Sequence, residues 1–358
     1  MEIGIVGLPQ VGKTTLFNLL TQAGASTGFG NKDKANVGVA NVPDERIDYL
    51  AGIYKPKKTT YAQIEFIDIA GLEPAGNGRN TRGFLDALQN VDALVHVVRA
   101  FRSDTVPHFR GEVDAMRDLD MLQSELVLTD LALLETRLER LNNGRMKQKG
   151  AEEDLALLRK CLEHLEEEQP LSQVSFTNEE TTLLRQYTFH TNKPMLIAVN
   201  LDEEELLSGE YSRQDAVLSW AKARNISVIP ICGKLEEEIM GLPVDERLPF
   251  LTDLGLSETG IARLARAVYS QLDLISYFTV GSDEVRAWTI KAGASAREAA
   301  GKIHSDIARG FIRAEVIGYE DFCKVGSVTQ AKEKGLCRLE GKEYIVKDGD
   351  IVSFRFNV

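Results

Sequence analysis

No apolar run in this chain approaches the roughly 20 residues that a membrane-spanning helix needs. The N-terminal segment is not read as a signal peptide, because Lys13 and the glycines around it interrupt any apolar core. Cysteine is scarce. Cys161, Cys232, Cys323 and Cys337 form no CxxC pair and no metal-ligand spacing, so free buried thiols in a reducing, cytoplasmic setting are expected. Positive charge is in deficit, with 42 Lys+Arg against 54 Asp+Glu and a net charge of −12. That balance argues against indiscriminate nucleic-acid binding, since affinity for phosphates follows local positive charge. The deficit is uneven: residues 276–358 carry 13 basic and 12 acidic groups, the remainder 29 and 42. Internal repeats and low-complexity tracts are also missing. What is left is the composition of an ordinary globular chain, and 358 residues are enough for two or three domains.

Short apolar runs alternate with helical stretches through the first part of the chain. Ile64–Asp68, Ala93–Val98, Met195–Asn200 and Ser227–Ile231 read as strands of a parallel α/β sheet. Between about 126 and 193 the rhythm changes. Val127, Leu131, Leu134, Leu138 and Leu141, then Ala151, Leu155, Leu158, Leu162 and Leu165, repeat at heptad-like spacing on either side of a polar break. This predicts an antiparallel helical hairpin inserted into the α/β domain. Arg137, Arg140, Arg145, Lys147 and Lys149 near its turn read first as a solvated helix end. From 276 onward, short strands, a helix near Ala294–His304 and a hairpin at Lys347-Asp348-Gly349-Asp350 predict a small mixed β-sheet module. The domains so drawn are 1–125 plus 194–275, then 126–193, and 276–358.

The chemistry is concentrated near the N-terminus. A buried strand runs into Gly7-Leu8-Pro9-Gln10-Val11-Gly12-Lys13-Thr14-Thr15, and an apolar helix follows. This is the GxxxxGK[ST] phosphate loop in its proper strand–loop–helix setting. Glycines let the backbone wrap a phosphate, and the amides and helix N-terminus direct partial positive charge at it. Lys13 is assigned to the β- and γ-phosphates and Thr14 to Mg²⁺. Asp68-Ile69-Ala70-Gly71 alone would be a strand ending in a turn. Paired with the phosphate loop, it assigns Asp68 to the magnesium shell and the Gly71 amide to the γ-phosphate.

Where guanine-binding relatives carry NKxD, this chain reads Asn200-Leu201-Asp202-Glu203. Lysine is lost and the carboxylate sits on a longer arm, which favours ATP over GTP, because the wrong base leaves polar groups unpaired. Cys232-Gly233-Lys234 stands at the following base loop. Leu72 occupies the place of the water-orienting Gln after DxxG, so in-line attack is expected to be slow. Arg79 and Arg82 read as solvated loop residues before cis-acting charge stabilisers, and His96 as a packed core histidine.

The segments GLPQVGKTTLFN, NVGVANVPDER, DIAGL, VDALVHVVRAF, NLDE, EVRAWTI, AAGKIHSDIARGFIRAEVIGYEDF and RLEGKEYIVKDGDIVSFRFNV together resemble the YchF subfamily of Obg-like P-loop NTPases, across essentially the whole chain. The resemblance implies a Ras-like domain with an inserted coiled coil and a C-terminal TGS (ubiquitin-like) domain. It also implies a slow, Mg²⁺-dependent ATPase, monomeric and cytoplasmic, acting as a ribosome- or translation-associated or stress-related switch. Within that family Asn200 would read adenine and Leu201 would pack on it. A GTPase of the same fold, or a nucleotide-binding scaffold without turnover, are the alternatives. The chain departs from the pattern at Gln10, where relatives carry the Asn linked to potassium, at Lys32, which stands at the switch Thr that closes on Mg²⁺, and through Glu73–Arg82. These departures mark a divergent member with a reworked switch region.

Overall fold

Runs of Ile, Val and Leu bounded by glycine or polar turns become strands wherever both faces are buried, and a computed structural model shows where those strands go. It describes residues 1–25, 36–72, 79–108, 110–142 and 151–357. The expectations for Lys32, for Glu73 to Gly78, and for Arg145, Lys147 and Lys149 lie outside the described residues. Strands β1 (Glu2–Val6), β2 (Asn36–Asn41), β3 (Lys58–Thr60), β4 (Gln63–Asp68), β5 (Ala93–Arg99) and β6 (Met195–Asn200) come first. They are followed by β7 (Ser227–Ile231), β8 (Leu274–Thr279), β9 (Glu284–Lys291), β10 (Phe311–Gly318), β11 (Arg338–Glu340) and β12 (Asp350–Phe356). The helices used below are α1 (Lys13–Thr21), α2 (Glu45–Tyr54), α3 (Arg79–Gln89), α4 (Ala115–Asn142), α5 (Ala151–Glu166), α6 (Asn178–Leu184), α7 (Glu203–Ser208), α8 (Gln214–Ala223) and α9 (Gly233–Gly241).

The strands form two sheets, ordered β2-β4-β1-β5-β6-β7 and β11-β10-β12-β8-β9-β3. In the first, β4, β1, β5, β6 and β7 are parallel neighbours, so their C-terminal ends all open at one edge. Every residue of β5 and β6 is buried, as the unbroken apolar runs required. By contacts the chain divides into two compact units, Met1–Gly38 with Glu65–Ile261, and Val39–Ile64 with Ala262–Val358.

In the first unit, α4 begins at Ala115, well before the expected start of the hairpin near 126. Its first turns bury Ala115 and Leu119 against Val98, Ile197 and Val199 of the sheet. The same helix then presents Val127, Leu134 and Leu138 to Leu158, Cys161, Leu162 and Leu165 of α5. Mid-helix, the buried Asp130 accepts three hydrogen bonds, from His190 N (2.9 Å), Thr191 N (2.8 Å) and Thr191 Oγ1 (2.7 Å). Arg79 and Arg82, expected in a loop, lie on α3.

In the second unit the boundaries differ from those drawn on the sequence. Residues 39–64, expected in the nucleotide-binding part, belong here, and the unit takes in 262–275 as well. Arg46 on α2 bridges Asp44 (2.8 Å) and Asp348 (2.7 Å) and lies over the Phe278 ring. Tyr54 stacks on Phe322, and β3 pairs with β9. The hairpin expected at 347–350 is not formed. β12 pairs antiparallel with β10 and parallel with β8, and Tyr344–Val346 contributes one isolated bridge from Ile345 to Ser295. The turn itself closes, with Asp350 N donating to the Lys347 carbonyl (3.1 Å) and the Asp350 carboxylate accepting from Lys347 N (2.9 Å), while Asp348 accepts from Ser276 N (2.9 Å) and β12 takes its partners elsewhere. Among the four cysteines, Cys161 and Cys232 are buried as expected, whereas Cys323 is exposed and Cys337 half-buried.

Candidate functional site

The open edge of the first sheet gathers the sequence-predicted residues from four separated segments. β1 ends at Val6 and the chain turns through Gly7 (φ 146°), Gln10 (φ 63°) and Gly12 (φ 97°) before α1 begins at Lys13. A side chain at Gly7 would collide with the Val97 carbonyl oxygen, 2.4 Å from where its Cβ would stand. The glycine therefore permits both the dihedral and the close approach. Gln10 adopts the same left-handed region, which asparagine tolerates better than glutamine does. The departure at Gln10 thus falls on a conformationally demanding position.

Lys13 is buried, and its Nζ donates to the Leu8 carbonyl (2.7 Å). Burial lowers its pKa to about 8, while the charge of nearby Asp68 pulls the other way. Thr14 Oγ1 donates to Asp68 Oδ2 (2.8 Å), so the hydroxyl and carboxylate meet although 54 residues separate them. Asn36 Nδ2 stands 3.5 Å from the same oxygen. A Cβ on Gly71 would lie 2.9 Å from Pro9 N and 3.0 Å from Lys13 Nζ, which places the DxxG turn directly against the phosphate loop. Leu72 N donates to the Gly7 carbonyl (3.1 Å), and the Leu72 side chain is buried. It cannot orient water. The charged and hydroxylic groups that the phosphate reading required are therefore in one place.

The base end is organised differently. Asn200, at the end of β6, donates from Nδ2 to the Val11 carbonyl (3.0 Å) and accepts at Oδ1 from Gly233 N (3.0 Å). A Cβ on Gly12 would fall 2.4 Å from Asn200 Nδ2. Asn200 therefore ties the phosphate loop to the start of α9, leaving one N–H and one lone pair of its amide. Leu201 is buried in the core with Val199, Val217 and Ala221. Cys232 is the buried residue preceding α9, and its thiol pKa is raised by burial. Asp202 caps α7 reciprocally with Glu205, accepting from its N–H (2.9 Å), and Glu203 is exposed in the first turn. The Asp-Glu-Glu-Glu run after the strand is thus a capping box, a pattern legible in the sequence. Thr15 is also drawn in: its Cγ2 lies 3.4 Å from where a Gly233 Cβ would stand.

Two further residues of β5 are buried beside the site. His96 is indeed packed in the core, with Nε2 unpartnered among the described residues and its pKa lowered to about 3, by burial and then by Lys13. Arg99, the last residue of β5, is almost completely buried and is not among the sequence-predicted site residues. Its only sequence signal was a cation closing an otherwise apolar strand.

Over its full length the chain is 44% identical to the ribosome-binding ATPase YchF of Bacillus subtilis (strain 168), covering 100% of both proteins. The chain belongs to the YchF family. The YchF of Escherichia coli O157:H7, also named a ribosome-binding ATPase, is 43% identical over 100% of this chain and 99% of its own. The solved structure of the Schizosaccharomyces pombe YchF GTPase superimposes with a TM-score of 0.89 at 31% identity, covering 99% of this chain and 97% of that one. A family model described as a 50S ribosome-binding GTPase matches residues 2–130. Another, for the YchF GTPase C-terminal region and described as a protein of unknown function, matches 274–357. This YchF chain therefore has the Ras-like P-loop fold with mixed α/β sheets. Among its described residues no helix is long and apolar enough to cross a membrane.

Proposed function

We propose that this YchF protein is a slow ATPase that switches its contacts with the ribosome according to the nucleotide it holds. One observation carries the reading: Lys13, Thr14, Asp68 and Gly71 converge at the open edge of a parallel sheet in a chain similar, end to end, to named ribosome-binding ATPases. ATP would bind along the phosphate loop from Gly7 to Thr15, with Asn200, Glu203, Cys232 and Gly233 bordering the base and Leu201, expected to pack on adenine, held behind them in the core. The touching Thr14 hydroxyl and buried Asp68 carboxylate are the hard oxygen donors that suit Mg²⁺. Bound there, the ion would neutralise charge on the phosphates.

This chain's own groups do the rest. Lys13 places positive charge on the terminal phosphates, and the amides after Gln10 line them. Leu72 contributes exclusion of water and no proton handling, which supports slow turnover. Adenine is favoured over guanine because Leu201 replaces the lysine and Glu203, at the position of the guanine-reading Asp, stands exposed on a longer arm in the first turn of α7. The leucine-faced α4 and α5 serve as an inserted antiparallel coiled coil, and residues 276–358 as a TGS module. Both are suited to ribosomal contact in a monomeric, cytoplasmic protein.

Phosphate release from Mg·ATP by the purified protein tests the proposal. A rate above that of Lys13→Ala by at least about 100-fold is expected, because the lysine acts on charge in the transition state. Equal rates would reduce the protein to a nucleotide-binding scaffold. Competition between ATP and GTP for the site separates the remaining alternative, a GTPase.

A further inference from the structure

The functional reading leaves a buried guanidinium without a role. Arg99 ends β5 beside Asn200 in the sheet register and is among the largest fully buried side chains. Three carbonyls surround it. Nε donates to Phe101 O (3.1 Å), Nη2 to Val106 O (2.8 Å), and Nη1 reaches Gln10 O at 3.4 Å. The guanidinium also lies over the Phe101 ring, 4.2 Å from its centroid. The loop supplying Val106 is itself pinned two residues on, where His108 Nε2 meets Asp118 Oδ2 of α4 at 2.9 Å. One end of the strut is therefore fixed, and the other rests on the phosphate loop.

Asn200 holds the carbonyl of Val11 and Arg99 that of Gln10, so two consecutive loop carbonyls are drawn toward the ends of adjacent strands. A trans peptide is planar, and its N–H points opposite to its C=O. Drawing the Gln10 carbonyl inward therefore turns the Val11 N–H outward, as Asn200 does for Gly12. We propose that Arg99 is a positioning residue for nucleotide binding, aiming the Val11 amide at the phosphates by holding Gln10 in its left-handed turn. Lysine could supply charge at this place but not a planar fork reaching three carbonyls. The inference rests on the nucleotide-binding reading of the loop.

The test measures Mg·ATP affinity by calorimetry together with steady-state hydrolysis. Arg99→Lys is expected to raise Kd and KM about tenfold with kcat changed less than about twofold, the signature of lost uniform binding. Phe101→Ala, which keeps the guanidinium but removes the ring under it, is expected to raise KM about threefold. Adding Gln10→Gly to Arg99→Lys is expected to recover most of the affinity, because glycine adopts the left-handed turn without the steric cost that the strut offsets for glutamine. Thermal melts accompany each variant. Unchanged affinity in Arg99→Lys overturns the proposal. So does a loss that tracks a lowered melting temperature and is not restored by Gln10→Gly, which would make Arg99 a packing residue. If Arg99→Lys does not fold, Phe101→Ala with and without Gln10→Gly decides by the same criteria. Failure of the unmodified protein to bind Mg·ATP is the distinct outcome that removes the functional reading.

Discussion

The two ends of the site use polar groups in opposite ways. At the phosphate end, Lys13, Thr14 and Asp68 lie within reach of one another, with the Lys13 ammonium satisfied by a single carbonyl and the Asp68 carboxylate by one short hydrogen bond among the described residues. At the base end, Asn200 is stretched between two backbone groups, Asp202 is locked into a helix cap, and Leu201 is core. At the phosphate loop, Lys13 and Asp68 retain hydrogen-bonding capacity that the described residues do not use. The base end has committed most of its capacity to holding loops together. Affinity should therefore reside in the triphosphate and metal, and base discrimination in shape and in the few amide valences that remain.

The sharpest way to break this contrast is at Asp68. Asp68→Asn preserves volume and removes the negative charge, and kcat/KM for Mg·ATP is expected to fall about 100- to 1,000-fold, comparable to loss of a group that stabilises developing charge. A fall of less than about tenfold would mean that the phosphate end holds no reserve.

Asn200→Ala probes the other end. It orphans the Gly233 N–H and the Val11 carbonyl, each worth about 1–3 kcal/mol when buried and unsatisfied. Calorimetry should show ATP and GTP affinities falling together, about 10- to 30-fold, with lowered stability to urea. If ATP affinity alone falls, Asn200 is a base reader and the contrast collapses.

A smaller effect follows from the buried ammonium. With its pKa lowered to about 8, Lys13 is charged below that value and neutral above it. Raising the pH from 7 to 9 removes most of that charge, so Mg·ATP affinity should fall about fivefold to tenfold. Lys13→Ala should flatten this profile. The direction of the shift, depressed by desolvation, fixes the sign: affinity is lost as pH rises.

The smallest effect belongs to Asp202→Ala. It should lower stability by about 1 kcal/mol in urea unfolding through loss of the α7 cap. Nucleotide affinity should be unchanged, which distinguishes a cap from a base ligand.

Legibility tracked the range of the interactions. The phosphate loop could be read because its backbone demands appear as glycines at fixed intervals, and the β5 and β6 strands because burial on both faces leaves unbroken apolar runs. Asn200 was harder. Its partners are backbone groups of Val11 and Gly233, 189 and 33 residues away, and a carbonyl or amide leaves no trace in residue type. Arg99 is illegible for the same reason, since its acceptors among the described residues are the backbone carbonyls of Phe101, Gln10 and Val106. At Lys347–Asp350 the expected turn closes but no hairpin follows, because strand pairing is decided by distant partners. Asp348 and Asp350 bind backbone N–H groups, and β12 pairs with β10 and β8. The leucine repeat located the α4–α5 pairing but not the start of α4, where small side chains serve a different core.

Arg46 and Asp348 are partners 302 residues apart, within a unit assembled from two distant stretches of chain. On a translating ribosome the first stretch emerges long before the second exists. At roughly 5–20 residues per second the interval is about 15–60 s. For most of that time β3 lacks β9 and the Tyr54 ring lacks Phe322. A protein whose relatives bind ribosomes thus carries, in its own topology, a long wait at the ribosome exit before one of its sheets can close.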